Sequence, residues 1–293
     1  MRRSLAVLLF SLLLAHHAHA SEPPKVVVSI KPIHSLAAAL MDGVGKPGLI
    51  VEGEAAPQTF RLDTAKRREA TSADLLIWVG PELEPFLTTV TASKPKEQVI
   101  ELLSLDAIKI LSERGHPERR DPYLWLDTRN ALLLLPLLTE ALAQIDPARA
   151  HLYRNNLRKV RRDLAELDRK FEYGYRSVSG RPVLIYHDTQ QYFEQAYAMR
   201  AIGYLAERVG ESASARRLLE AKRALAEGAG VVCLLTEAGL PAGNLDLLAD
   251  GGQRVRVVEL DSLGTRLAAG PTLYRTLMEH NFSAIHSCFE SVR

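Results

Sequence analysis

The feature that most constrains this chain is a rhythm. Short β-branched runs alternate with longer amphipathic stretches, the pattern of parallel sheets covered by helices. The predicted strands are residues 26–30, 48–51, 75–79 and 98–101, then, after a long polar stretch, 182–186, 231–235 and 254–260. Between the two sets, residues 146–175 read as one helix. Asp146-Pro147 supplies a cap and a first-turn proline, and Leu152, Leu157, Val160, Leu164, Leu167 and Phe171 fall on one face. At about 1.5 Å per residue such a helix is roughly 45 Å long, enough to run along two lobes as a stiff connector. A helical hairpin within one domain is the alternative reading.

The first 20 residues have a different logic. Arg2 and Arg3 are followed by an apolar run from Leu5 to Ala15 and by Ala18-His19-Ala20, the order of a secretory signal peptide with its cleavage site. That run is too short for a bilayer, which takes roughly 20 residues. A buried N-terminal helix would have to ignore the cleavage site and the break at Ser21-Glu22-Pro23-Pro24. Cleavage takes away Arg2 and Arg3, so the formal charge falls from +2 to 0 and no basic excess is left for nucleic acid. It also removes 20 of 293 residues and leaves 273, which predicts two domains. Residues 112–122, SERGHPERRDP, are charged and broken by Gly and Pro, and predict a mobile surface loop.

Cys233 and Cys288 are the two cysteines of an exported chain, and an oxidising compartment favours pairing them. Two free buried thiols are the other reading. No Cys-x-x-Cys spacing exists to suggest redox chemistry or a thiolate zinc site.

Ligands of open α/β sheets converge on the loops that leave the carboxyl ends of strands. Those loops carry His34, Gln58, Tyr123, His187 and Asp261. Imidazole nitrogen and carboxylate oxygen are competent ligands for first-row divalent metals, which makes His187 and Asp261 the leading pair. Each has a plainer explanation. A His after a strand is often just hydrogen-bonded, Asp261-Ser262 suits a helix cap, and Tyr123 with Trp125 suits ordinary packing. Enzyme signatures are scarce: the chain has no G-x-S-x-G and no H-E-x-x-H, and Gly43-Val44-Gly45-Lys46-Pro47 is not a phosphate-binding loop. A hydrolase built on His187 with Asp188 or Asp261 lacks a nucleophile motif.

Five segments, in order, carry a resemblance: 26–35 (VVVSIKPIHS), 73–87 (ADLLIWVGPELEPFL), 123–127 (YLWLD), 184–194 (LIYHDTQQYFE) and 260–264 (LDSLG). Together they resemble the periplasmic substrate-binding proteins of zinc-uptake ABC transporters, within the wider zinc and manganese binding-protein family. The resemblance implies an α/β fold of two (β/α)4-type lobes with parallel sheets joined by one long helix. The metal would lie in the interlobe cleft and be delivered to a membrane permease. On this chain that implies a signal peptide at 1–20, an N-terminal lobe at 21–143, a connecting helix at 144–178 and a C-terminal lobe at 179–293. It further implies a monomeric periplasmic protein that is not an enzyme.

In zinc members three histidines usually hold the metal. His187 matches the third, and Asp261 matches the position that provides a carboxylate in manganese-type members and lies near the metal in zinc-type ones. Gln58, in Ala-Pro-Gln-Thr-Phe, and Tyr123, in Asp-Pro-Tyr-Leu-Trp, stand where the first and second are expected. A neutral amide and a protonated phenol are poorer zinc ligands than imidazole. The substitutions therefore open an alternative in which the cleft holds a metal complex, another small solute or a partner protein. Glu237 matches a family glutamate near the cleft, His34 is a conceivable replacement ligand, and the Cys233–Cys288 pair matches a disulfide of many zinc-type members. Zinc is the first expectation for the cargo, with manganese or iron next.

Overall fold

A computed structural model of the chain describes residues 22–53, 55–228, 231–240, 242–243, 245–248 and 254–290. The predicted signal peptide and its cleavage site lie outside the described residues.

The first sheet grows from apolar runs too short to be anything but buried strands. β1 (Val26–Val28) leads into α1 (Lys31–Leu40), followed by β2 (Gly48–Leu49), α2 (Thr64–Ser72), β3 (Leu75–Trp78), α3 (Thr88–Ala92) and β4 (Val99–Glu101). The strand order is β2-β1-β3-β4, and every pairing is parallel. α2 begins where Asp63 accepts from the Lys66 amide at 2.8 Å, a side-chain cap worth about 1 kcal/mol.

Residues 112–122 are not a mobile loop. They form an antiparallel hairpin, β5 (Ser112–Glu113) and β6 (His116–Arg120), with Gly115 at φ +77° in its turn. The charges that suggested mobility are paired. Arg120 grips Glu82 with two hydrogen bonds of 2.5 and 2.8 Å. Arg114 reaches across to Glu194 at 2.5 Å and to Gln191 at 3.2 Å.

α4 (Thr128–Ile145) and α5 (Ala150–Tyr175) follow, and they pack against each other as a helical hairpin. α5 also packs against α1. At about 1.5 Å per residue its 26 residues span roughly 39 Å. Its buried face is Tyr153, Leu164, Leu167, Phe171 and Tyr175, so Tyr153 rather than Leu152 begins the stripe. Asp146 does not cap the backbone. It accepts instead from Tyr153 Oη at 2.7 Å and Arg149 Nη1 at 2.9 Å.

The second sheet contains β7 (Pro182–His187), α6 (Gln191–Tyr197), β8 (Arg200–Ala206), α7 (Ala215–Glu227), β9 (Val231–Glu237) and β10 (Arg254–Leu260), ordered β10-β9-β7-β8 and again all parallel. α8 (Leu273–Glu290) closes the chain against β9, β10, α1 and α5. Phe282 of α8 stacks on Phe171 at 5.0 Å. A Cβ at Gly174 would meet that Phe282 ring at 2.2 Å, so glycine is what lets the two helices approach. Cys233 of β9 is bonded to Cys288 of α8.

The largest hydrophobic cluster is continuous through both sheets. It joins Val28 and Ile77 to Leu167, Phe171, Ile185 and Leu235, while smaller clusters lie under α2 and α7. The architecture is thus two four-stranded parallel α/β sheets with one long helix along both.

Candidate metal-binding cleft

Every residue singled out at the strand ends except His34 sits where the two sheets face each other. Gln58 lies in a single 3-10 turn after β2, Tyr123 between β6 and α4, His187 at the end of β7, Glu237 at the end of β9, and Asp261 just past β10. Gln58, Tyr123, Glu237 and Asp261 line one small cavity of about 30 Å³. His187 stands directly behind Glu237.

The N-terminal wall is neutral. Gln58 Nε2 donates to Tyr123 Oη at 2.8 Å, while Gln58 Oε1 is buried without a hydrogen-bond partner. Burial, with the Glu237 and Asp121 charges next in weight, holds the Tyr123 phenol well above its usual range, so it stays protonated.

The C-terminal wall is polar and tightly tied. His187 Nδ1 meets Glu237 Oε2 at 2.5 Å, and its Nε2 faces the backbone carbonyl of Glu211 at 3.2 Å. A carbonyl can only accept, so the hydrogen-bond pattern places a proton on Nε2. Thr189 Oγ1 donates to the other Glu237 oxygen, and Gln190 Nε2 links Thr189 to Ser262 Oγ at 3.0 and 2.9 Å. Asp261 Oδ1 accepts from the Leu263 and Gly264 amides at 3.0 and 2.7 Å, and Oδ2 from Thr265 Oγ1 at 3.3 Å. It therefore caps the following turn while facing the cavity. Asn281 of α8 fixes its backbone from behind with bonds of 2.9 and 2.8 Å.

Among the described residues no group of three or more His, Cys, Asp or Glu is placed to hold a metal ion. The cleft is a closed hydrogen-bonded network rather than a ready cage. His34 lies apart. Its Nε2 bonds Pro47 O at 3.0 Å, burial lowers its imidazole below the usual value, and it lines neither cleft cavity. His187 touches neither Asp188 nor Asp261 in the manner of a hydrolase triad, and no serine hydroxyl bonds its ring among the described residues.

Trp125 is a bridge rather than mere packing. Its Nε1 donates to Ser262 O at 2.7 Å, and its own carbonyl accepts from Tyr274 Oη at 2.7 Å. Lys31 donates to the carbonyls of Gly264, Thr265 and Leu267 at 3.1, 2.7 and 3.1 Å, clamping α1 to the loop that holds Asp261. Lys31, Thr189 and Gln190 lie within the segments that carry the family resemblance without being singled out there, and the Glu211 carbonyl leaves no mark in the sequence.

Residues 26–288 match the family described as zinc-uptake complex component A, periplasmic. The chain belongs to that family. Among curated members it is similar to the high-affinity zinc uptake system protein ZnuA of Brucella abortus, at 26% identity over 92% of each chain. ZnuA of Yersinia pestis is similar at 25% identity over 97% of each. The fold matches the periplasmic zinc-binding protein TroA of Treponema pallidum with a TM-score of 0.76, at 20% identity and covering 90% of this chain and 98% of that one. Membership makes this chain a periplasmic metal-binding component of a zinc-uptake system. No helix among the described residues is long and apolar enough to cross a membrane.

Proposed function

We propose that the chain captures a divalent cation in the interlobe cleft and hands it to an ABC-type membrane permease, catalysing no reaction itself. In this reading residues 1–20 direct export and are removed. Lobes 21–143 and 179–293, joined by 144–178, act as one monomeric receptor in the periplasm.

The observation that carries the reading is Glu237, which lines the cavity with Gln58, Tyr123 and Asp261 and holds His187 immediately behind it. Glu237 on Nδ1 fixes the orientation of the ring, as carboxylates do for metal-bound imidazoles. With Nδ1 taken by Glu237, Nε2 is the ring atom left for a metal. Its one present partner is a backbone carbonyl at 3.2 Å, and giving that up, with the Nε2 proton, frees a lone pair. Asp261 supplies a carboxylate and Gln58 Oε1 an unpartnered amide oxygen. Tyr123, neutral, is a hydrogen-bond donor at the rim. His34 is structural.

One imidazole with oxygen ligands is a mixed set. It suits zinc, and manganese or ferrous iron next, with less affinity than three imidazoles would give. Equilibrium dialysis against zinc, manganese and ferrous iron, followed by elemental analysis, tests this. Wild type should hold at least one of them tighter than about 1 μM, about 8 kcal/mol, and His187→Ala should hold none. Failure of all three to bind wild type would overturn the reading.

A further inference from the structure

A second cavity adjoins the first. It encloses about 230 Å³ beneath the β5–β6 hairpin, and Gln58, Tyr123, Thr189 and Val209 line both spaces, so a wall one side chain thick divides them. Its lining carries unmet demands of two kinds. The Asp188 side chain is 8% exposed. Its Oδ1 accepts no hydrogen bond, the nearest cation being Arg114 Nε at 3.4 Å. Gln58 Oε1 is equally without a donor. Arg208 lines the same cavity as an exposed side chain, in no hydrogen bond or close ion pair with a described residue, and its charge acts on Glu113 only at longer range. The other basic side chains there are already engaged: Arg114 with Asp188 at 3.4 Å and Glu194 at 2.5 Å, Arg119 with Glu113 at 3.2 Å, and His116 beside Glu118 and Glu207 at 3.4 and 3.6 Å.

Buried acceptors without donors call for N–H groups, and an arginine outside any close ion pair is open to a carboxylate. One small molecule that offers both is an amino acid. The volume agrees, since it lies below the roughly 300 Å³ at which pockets for drug-sized ligands begin. We infer that this outer cavity binds an α-amino acid, ammonium toward Asp188 and carboxylate toward Arg208, with a donor side chain that reaches the inner cavity and completes the metal's shell. The cargo is then a metal–amino-acid complex, and one donor in place of those missing at Gln58 and Tyr123 arrives with the side chain. The inference shares the cleft with the metal reading and draws on different residues, so the two fail separately.

Isothermal titration at fixed free zinc, with and without L-histidine, on wild type and Arg208→Glu is the test. Arg208 is exposed, so the variant keeps the fold. Wild type should bind zinc at least tenfold tighter when histidine is present, and in Arg208→Glu the two isotherms should coincide. Zinc binding that is indifferent to histidine in wild type overturns the inference and leaves the metal reading standing. Histidine that binds through Arg208 while zinc binds wild type in neither condition supports the subsite and sinks the metal reading. Binding of neither sinks both.

Discussion

The two walls of the cleft are built to different standards. The C-terminal wall holds its ionisable groups in a buried network, His187 to Glu237 to Thr189, with Asp261 clamped by α8 and a disulfide fastening β9 to α8. The N-terminal wall offers a neutral amide bonded to a neutral phenol, both on short irregular turns. The contrast teaches that ligand number and ligand support are separable. On the proposed reading, this chain keeps the supported half of a metal site and leaves the other half to oxygen atoms, water or an incoming ligand.

The largest effect on this asymmetry comes from the staple. Replacing Cys233 and Cys288 by serine releases a closed loop of 55 residues and should cost about 4 kcal/mol on the loop-entropy model. Thermal unfolding reads the loss. Hydrogen exchange should show it in β9 and α8 and leave β1 and β3 protected, and equal loss in both sheets would break the comparison.

His187→Ala comes next. It leaves Glu237 buried without its partner, a loss of about 3 kcal/mol visible in denaturant titration, together with loss of metal. A variant as stable as wild type would mean the pair is not the anchor of that wall.

Supplying what the other wall lacks is the third. Gln58→His with Tyr123→His should tighten zinc by at least about 100-fold, since new direct ligands outweigh the 10 to 100-fold typical of a group one shell out. Competition with a chromophoric chelator measures it, and an unchanged affinity would show that the N-terminal wall never faces the metal.

The smallest effect concerns the hairpin that ties the walls together. Burial raises Glu194 from 4.5 to about 7, against the pull of Arg114. The unfolded chain therefore sheds this proton first. The contribution to stability is fully present below about 4.5 and lost as pH rises through about 7, with a slope of at most about 1.4 kcal/mol per pH unit. Urea titrations from pH 5 to 8 should show a flatter profile for Glu194→Gln, and superimposable profiles would contradict the assignment.

Legibility followed the reach of each interaction. β1, β3, β7 and β9 were readable because burial on both faces demands unbroken apolar runs. β8 was not: Gly203 interrupts it, a register shift marks its pairing with β7, and it is an edge strand with one neighbour. The hairpin misled because Arg114 finds Glu194 80 residues away, so charges that are exposed in the sequence are paired in the fold. At the cleft, Gln58, Tyr123, Glu237 and Asp261 were found by the rule that strand ends carry ligands and by family resemblance. The contact that closes Nε2 of His187 was invisible, because a backbone carbonyl leaves no trace in residue type. His34 obeyed the same rule and still turned away toward Pro47.

The central claim is that a metal in this cleft is held from one side by one imidazole. X-ray absorption at the zinc edge of the loaded protein measures that directly. The account predicts a shell of one protein imidazole among oxygen ligands, with the imidazole signal absent in His187→Ala. Two or more protein imidazoles in the wild-type shell, or an unchanged spectrum in the variant, would contradict it.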